Sequence, residues 1–120
     1  MILYRPVGPR ELTLIEQSQM ARFPPRLADQ PIFYPVLQFE YAEQIARDWN
    51  STRTDTGYLG FVTRFDVEDH YAGQFEKSTV GGRQHQELWV PVEDLDEFNR
   101  HLVGKIELIA KYARGQRVAL

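Results

Sequence analysis

Proline placement is the strongest constraint on how the first third of this chain can fold. A proline pair occupies positions 24–25, and further prolines stand at 31 and 35. Proline lacks a backbone N–H, and the residue before it avoids helical geometry. Residues 23–27 are therefore predicted to be extended and rigid. The apolar run 32–34 (Ile-Phe-Tyr) lies between two prolines, which predicts a short strand at a sheet edge or a strand end.

Hydrophobic periodicity predicts the remaining elements. Apolar positions repeat at helical spacing from Phe39 to Trp49, and they alternate at strand spacing from Tyr58 to Val67. Further helices are predicted from Pro9 to about Met20 and from Glu93 to a glycine stop at Gly104, and further strands at 2–5, 85–90 and 105–112. Residues 50–57 are predicted to be a polar loop. Residues 68–79 give an ambiguous pattern, compatible with a short helical turn followed by extended chain.

This order of elements favours the α+β fold class. It runs β-α-β-α-β and continues with several strands and one intervening helix, so about three helices are expected. A chain of 120 residues is the size of one domain. The sequence therefore predicts a single α+β domain over residues 1–112, followed by a flexible tail at 113–120.

Composition excludes several kinds of chemistry and location. The chain has no cysteine, which rules out disulfides, thiolate metal sites and cysteine nucleophiles. No apolar run approaches the roughly 20 residues that a bilayer-spanning helix needs, and the N-terminus lacks the features of a signal peptide. A cytoplasmic protein without a membrane partner is therefore expected, and delivery into another cell by a leaderless route stays open. The formal net charge of -3 gives no general attraction to nucleic acid.

Fingerprints of the common catalytic and nucleotide-binding sites are absent from the sequence. It contains no Gly-x-Gly-x-x-Gly, no phosphate-binding Gly-Lys-Ser/Thr, no His-Glu-x-x-His and no Gly-x-Ser-x-Gly. The three histidines, at 70, 85 and 101, are too far apart to share one helix face as metal ligands. No metal site is predicted.

The predicted strand 85–90 carries a polar residue in an unusual setting. Strand periodicity places His85, Glu87 and Trp89 on one face and the apolar Leu88 and Val90 on the other. Burying a carboxylate without a partner is costly, so Glu87 is expected to be paired or to lie at a cleft. There it could orient a hydroxyl or stabilise developing positive charge. The alternative is an exposed glutamate, or one in an ion pair with an arginine.

Two residues elsewhere in the chain could complete a site with Glu87. Arg5 ends the first predicted strand, and its planar guanidinium suits bidentate phosphate binding. The alternative for Arg5 is an ion pair with one of the 17 acidic residues. Tyr34 could present its ring for stacking on a ligand, and the alternative for Tyr34 is packing in the core.

Four segments of the chain resemble known proteins. They are Leu-Tyr-Arg-Pro-Val-Gly at 3–8, Phe-Pro-Pro-Arg-Leu at 23–27, Pro-Ile-Phe-Tyr-Pro-Val at 31–36 and Gln-His-Gln-Glu-Leu-Trp at 84–89. They look like segments of a family of small bacterial proteins that carry the label ADP-ribosylation/crystallin, and the likeness spans about residues 2–112. An arginine ending the first strand, an aromatic strand, an alanine-rich helix and a late glutamate also resemble the ADP-ribosyltransferase fold, with its split mixed or antiparallel sheets.

The resemblance implies a NAD-dependent mono-ADP-ribosyltransferase or a related NAD-using enzyme, with NAD as its substrate. Arg5 would contact the phosphate or ribose region of NAD, and Tyr34 would stack on nicotinamide. Glu87 would be the catalytic residue that binds the nicotinamide-ribose hydroxyl. His85 stands two residues before Glu87, at the position where arginine-modifying members have a glutamate. It would be part of the NAD-binding site. The loop 81–83 would face the acceptor, an unidentified protein or nucleic acid.

Two other functions stay open from the sequence. A non-catalytic binding module, such as an immunity or regulatory partner, would keep the fold without the chemistry, and the aromatic content suits a protein interface. A nucleic-acid modifier would use Arg22, Arg26 and Arg64 as phosphate contacts, which requires those side chains on the same face as Glu87.

Overall fold

The computed structural model describes residues 1–82 and 85–120, and in these it contains seven strands and four α-helices. The strands are β1 (Ile2–Val7), β2 (Ile32–Phe33), β3 (Leu59–Val67), β4 (Glu76–Thr79), β5 (Gln86–Pro91), β6 (Leu102–Ala113) and β7 (Gln116–Val118). The helices are α1 (Pro9–Gln17), α2 (Phe39–Asp48), α3 (Asp69–Ala72) and α4 (Leu95–Arg100). The predicted α+β class is confirmed, with four helices where the sequence predicts about three.

The strands form two antiparallel sheets. The larger sheet has the order β1-β3-β6-β7, and the smaller has the order β2-β5-β4. β2 is an edge strand, as the flanking prolines predict, and it pairs with β5 through Ile32↔Pro91 and Phe33↔Val90. β4 lies at the opposite edge, so β5 is the central strand of the smaller sheet.

Helix α2 packs against one face of the larger sheet. Its buried stripe, Ala42 and Ala46, lies against Val62 of β3 and Ala110 of β6. Small side chains let the helix approach the strand closely, and a Cβ on Gly60 would lie 2.2 Å from the Ala46 carbonyl oxygen. The close fit determines the position of α2, and therefore also the position of the side chains on its outer face.

The main hydrophobic core fills the space between the other face of the larger sheet, the smaller sheet and helices α1, α3 and α4. Phe23, Phe33, Phe65 and Phe98 meet there in tilted and edge-to-face pairs with ring centroids 4.7, 5.1, 5.5 and 6.3 Å apart. Asn99 holds the extended segment in place, because its amide accepts from and donates to the Phe23 backbone at 2.9 and 3.0 Å.

The predicted end of the first helix is wrong. α1 ends at Gln17, because Gln19 and Met20 take left-handed φ angles of 62° and 59°. The turn directs the Met20 carbonyl toward β6, where it accepts a hydrogen bond from the Ile106 N–H at 2.8 Å. A tertiary contact that the local pattern does not contain therefore ends this helix.

β6 is longer than predicted at its N-terminal end, and Gly104 is not a helix stop. Gly104 lies inside β6 with a φ of 77°, beside a shift in the β3–β6 register that is typical of a β-bulge. After β6 the chain turns through Gly115, also at positive φ, and β7 pairs back on β6 through Lys111↔Val118. This hairpin stands where the sequence predicts a flexible tail.

Candidate functional site

Glu87 lies where the two sheets meet. Val36 makes antiparallel bridges to Tyr4 of β1 on one side and to Glu87 of β5 on the other, so one residue joins the sheets. Leu88 and Val90 of β5 are buried in the main core. Because side chains alternate along a strand, Glu87 points to the opposite side of the smaller sheet.

Two aromatic donors hold the Glu87 carboxylate. Tyr41 of α2 donates its hydroxyl to Glu87 Oε2 at 3.1 Å, and Trp89 donates its indole N–H to Oε1 at 3.0 Å. Glu87 is half-buried, and both of its oxygens are paired, as the cost of burying a bare carboxylate predicts. The carboxylate is therefore held in one orientation by neutral groups.

His85 extends the same face of the site. Its ring stacks on Tyr41 with centroids 4.7 Å apart and planes inclined at 27°, and its Nε2 lies 2.9 Å from Gln44 Oε1. The strand alternation that predicts His85 beside Glu87 agrees with this placement, since both contact Tyr41. The sequence does not single out Tyr41 and Gln44. Their spacing of three residues on α2, away from the alanine stripe, was the available signal.

Tyr34 borders the site through Trp89. The two rings meet edge to face with centroids 5.9 Å apart at 85°, and Tyr34 is 37% exposed, so it is not a core residue. Tyr34, Tyr41, His85 and Trp89 together form an aromatic rim around Glu87. Aromatic faces attract planar and cationic groups, and the carboxylate adds attraction for positive charge.

Arg5 does not join this site. It lies on the core face of β1 and is 8% exposed. Its guanidinium donates to Glu11 through Nε–Oε2 at 2.6 Å and Nη2–Oε1 at 2.9 Å, and it packs over the Phe33 ring at 4.6 Å. The structure therefore joins His85 and Glu87 through Tyr41, places Tyr34 at the border of the site through Trp89, and pairs Arg5 with Glu11. Arg5 forms an ion pair with an acid, which is the alternative role that the sequence left open for it.

The other residues considered from the sequence are dispersed. Gly81 and Gly82 of the predicted acceptor loop are exposed. Arg83, the last residue of that loop, lies outside the described residues. Arg64 pairs with Glu107 across β3 and β6 at 3.2 Å. Strand alternation puts Arg64 on the α2 side of the larger sheet, whereas Arg26 lines a cleft beside α1. Arg26 and Arg64 therefore contact different parts of the fold.

The ionisation of Tyr41 reports on the site. Burial first, then the charge and hydrogen bond of Glu87, raise the pKa of Tyr41 to about 12 from its usual value near 10. The unfolded chain then ionises first, so the free energy of unfolding should fall as pH rises from about 10 to about 12. The difference between the spectrophotometric titration curves of the wild type and Tyr41→Phe should show this pKa. In Glu87→Gln the pKa of Tyr41 should be lower, while burial still keeps it above 10. An unchanged pKa in Glu87→Gln would contradict the contact.

The described residues, 1–82 and 85–120, contain neither a cluster of metal ligands nor a membrane-spanning helix. No group of three His, Cys, Asp or Glu side chains is placed as metal ligands would be. No helix in this part of the chain is long and apolar enough to cross a membrane.

Comparison of the chain with protein-family models, with curated proteins and with solved structures finds no match. The likeness to ADP-ribosyltransferases therefore stays a prediction. Function has to be inferred from the residues of the site itself, because a fold class alone does not imply an activity.

Proposed function

We propose that the protein uses NAD as a substrate at the Glu87 site and transfers its ADP-ribose to an acceptor. The observation that carries this proposal is the oriented Glu87 carboxylate inside the aromatic rim, at the junction of the two sheets. NAD presents a cationic nicotinamide ring next to a ribose with free hydroxyls. The rim suits the planar ring, and the carboxylate suits both the positive charge and a ribose hydroxyl.

The proposed reaction breaks the bond between ribose C1′ and the nicotinamide nitrogen, and its electron pair leaves with nicotinamide. The ribose carbon then gains positive charge, which a fixed carboxylate stabilises more in the transition state than in the ground state. An acceptor nucleophile forms the new bond to C1′ and loses its proton. Glu87 would exchange one of its ring donors for a ribose hydroxyl, while Tyr41, with a pKa of about 12, stays protonated and neutral.

A second candidate is a module that binds its ligand without turnover. Both Glu87 oxygens are already hydrogen-bonded, and Arg5, the phosphate contact that the resemblance implies, is bonded to Glu11 instead. A satisfied carboxylate in an aromatic rim can recognise a planar cation without promoting bond cleavage. This candidate predicts that NAD or another pyridinium compound binds and is recovered unchanged.

Release of labelled nicotinamide from NAD tests the enzyme proposal. We expect release by the wild-type protein and a loss of about a hundredfold or more in Glu87→Gln, because the neutral amide no longer stabilises the developing charge. Glu107→Gln is the matched control, since it removes an exposed glutamate from β6, and it should keep full activity. Circular dichroism shows whether each variant is folded.

Binding separates the two candidates. NAD at about 100 times its dissociation constant should stabilise the folded protein by about 2.7 kcal/mol, which thermal unfolding detects. Stabilisation without nicotinamide release would support the binding module. The absence of both stabilisation and nicotinamide release would reject NAD as the ligand. Equal release by wild type and Glu87→Gln would remove Glu87 from the mechanism.

A further inference from the structure

A cleft of about 520 Å³ opens beside the N-terminus of α1. Its walls come from α1, from the extended segment 24–30 and from residues 49–56 after α2, and none of the aromatic-rim residues lines it. We call it the Trp49 cleft. Its volume falls within the range of about 300 to 1,000 Å³ that is typical of small-molecule sites.

Exposed apolar side chains gather in the Trp49 cleft. Leu27 is 61% exposed, Trp49 is 60% exposed and Leu14 is 41% exposed, and all three line the cleft. Large apolar side chains grouped in one concave place mark a binding site more often than scattered ones do. The Arg53 guanidinium lies over the Trp49 ring, 4.8 Å from its centroid, and is paired with Asp55, which also lines the cleft.

Two polar atoms of the cleft residues lack partners. Arg26 Nε and Asn50 Oδ1 are buried and form no hydrogen bond within the described part of the chain, and both residues line the cleft. Buried polar atoms without partners are uncommon because each loses its hydrogen bonds to water. Arg26 Nε is a donor that no acceptor in the described part of the chain satisfies, so the Arg26 guanidinium is not committed to a partner at this nitrogen, whereas the buried Asn50 Oδ1 has no surface open to the cleft.

The charges around Arg26 favour an anion. Burial first, then the positive charge of Arg5, lower the pKa of Arg26, and Glu11, whose charge raises it, is held by the two hydrogen bonds from Arg5. Arg10 adds another guanidinium to the wall of the cleft. Glu11 therefore compensates Arg26 only in part, and a negatively charged group is the partner that this arrangement fits best.

We propose that the Trp49 cleft binds a small anion with a planar ring, of the nucleotide class, with the ring against Trp49 and the phosphate at Arg26. This proposal rests on the cleft alone and is independent of the function proposed for Glu87.

Tryptophan fluorescence can test this proposal, because the chain has two tryptophans and one lies at each site. In Trp89→Phe the emission comes from Trp49 alone, and adenosine monophosphate should change it saturably. Adenosine and inorganic phosphate each offer one part of the ligand, so each should bind at least about tenfold more weakly. In Trp49→Phe the emission of Trp89 should not respond to adenosine monophosphate.

Substitutions at Arg26 in the Trp89→Phe background test the phosphate contact. Arg26→Ala should weaken binding of adenosine monophosphate by at least about tenfold. Arg26→Lys keeps the charge without the planar fork and should give an intermediate affinity. Arg64→Ala removes an arginine from the other side of the larger sheet and should leave the affinity unchanged. If Arg26→Ala does not fold by circular dichroism, Arg26→Lys provides the measurement.

Three results would each overturn the proposal. They are no saturable response to adenosine monophosphate, equal affinities for adenosine monophosphate and adenosine, and an affinity that Arg26 substitution leaves unchanged. Failure of the NAD experiments at Glu87 would leave this site standing, because Trp49 reports binding to the cleft without Trp89. The two proposals can therefore fail separately.

Discussion

Gly60→Ala is expected to destabilise the protein by at least about 3 kcal/mol, the upper part of the usual range for overpacking. The added Cβ would lie 2.2 Å from the Ala46 carbonyl oxygen and 2.9 Å from Asn50 Cβ. The first contact is with backbone, so no side-chain rotation relieves it and α2 must move away from β3. Chemical denaturation measures the loss directly.

The same substitution should also disturb the Glu87 site, because α2 carries Tyr41. We expect the pKa of Tyr41 to fall in Gly60→Ala as its contact with Glu87 loosens. Gly82→Ala is the matched control, since a Cβ there meets no atom of the described residues within 4 Å, and it should change the free energy of unfolding by less than about 1 kcal/mol. Similar stabilities for the two variants would show that α2 packs less closely than described.

Glu11→Gln is expected to cost about 3 kcal/mol of stability, whereas Arg5→Met should cost only about 1 kcal/mol. The asymmetry follows from Arg26. Removing the Glu11 charge leaves the buried Arg5 guanidinium without its partner and next to Arg26, whereas removing Arg5 leaves Arg26 to neutralise Glu11. Met also fills part of the space over the Phe33 ring, which the Arg5 guanidinium occupies at 4.6 Å.

A double-mutant cycle measured by denaturation tests this interpretation. In the Arg5→Met background, Glu11→Gln should cost less than about 1 kcal/mol, because the buried cation that it paired is gone. Glu107→Gln, in the exposed pair with Arg64, should cost at most about 0.5 kcal/mol. Equal costs of Glu11→Gln in both backgrounds would show that Arg5 and Glu11 do not depend on each other.

The elements that the sequence predicts best are those whose pattern is local. The helical repeat from Phe39 predicts α2, the alternation through Val67 predicts β3, and the flanking prolines predict that β2 lies at an edge. The predictions fail where a distant contact decides the outcome. α1 ends early because the Met20 carbonyl bonds to β6, and Gly104 sits in a bulge of β6 rather than at a helix end.

The candidate site divides in the same way. A period of two places His85, Glu87 and Trp89 on one face, and that could be predicted from the strand alone. The contact of Tyr41 with Glu87 could not, because it depends on how far α2 approaches β3 at Gly60. The sequence identifies which residues share a strand face, and the packing of the helix decides which groups they meet.

By itself the sequence determined the α+β class, the extended proline segment and the side of β5 on which Glu87 stands, since each depends on neighbours along the chain. Only the tertiary structure decided the partners of the charged side chains. The sequence does not specify which of the 17 acidic residues pairs with Arg5. The packing of the fold places Glu11 beside it, on the core side of β1 and away from Glu87. The physical reason is that charge pairing depends on distance in space, which chain order does not specify.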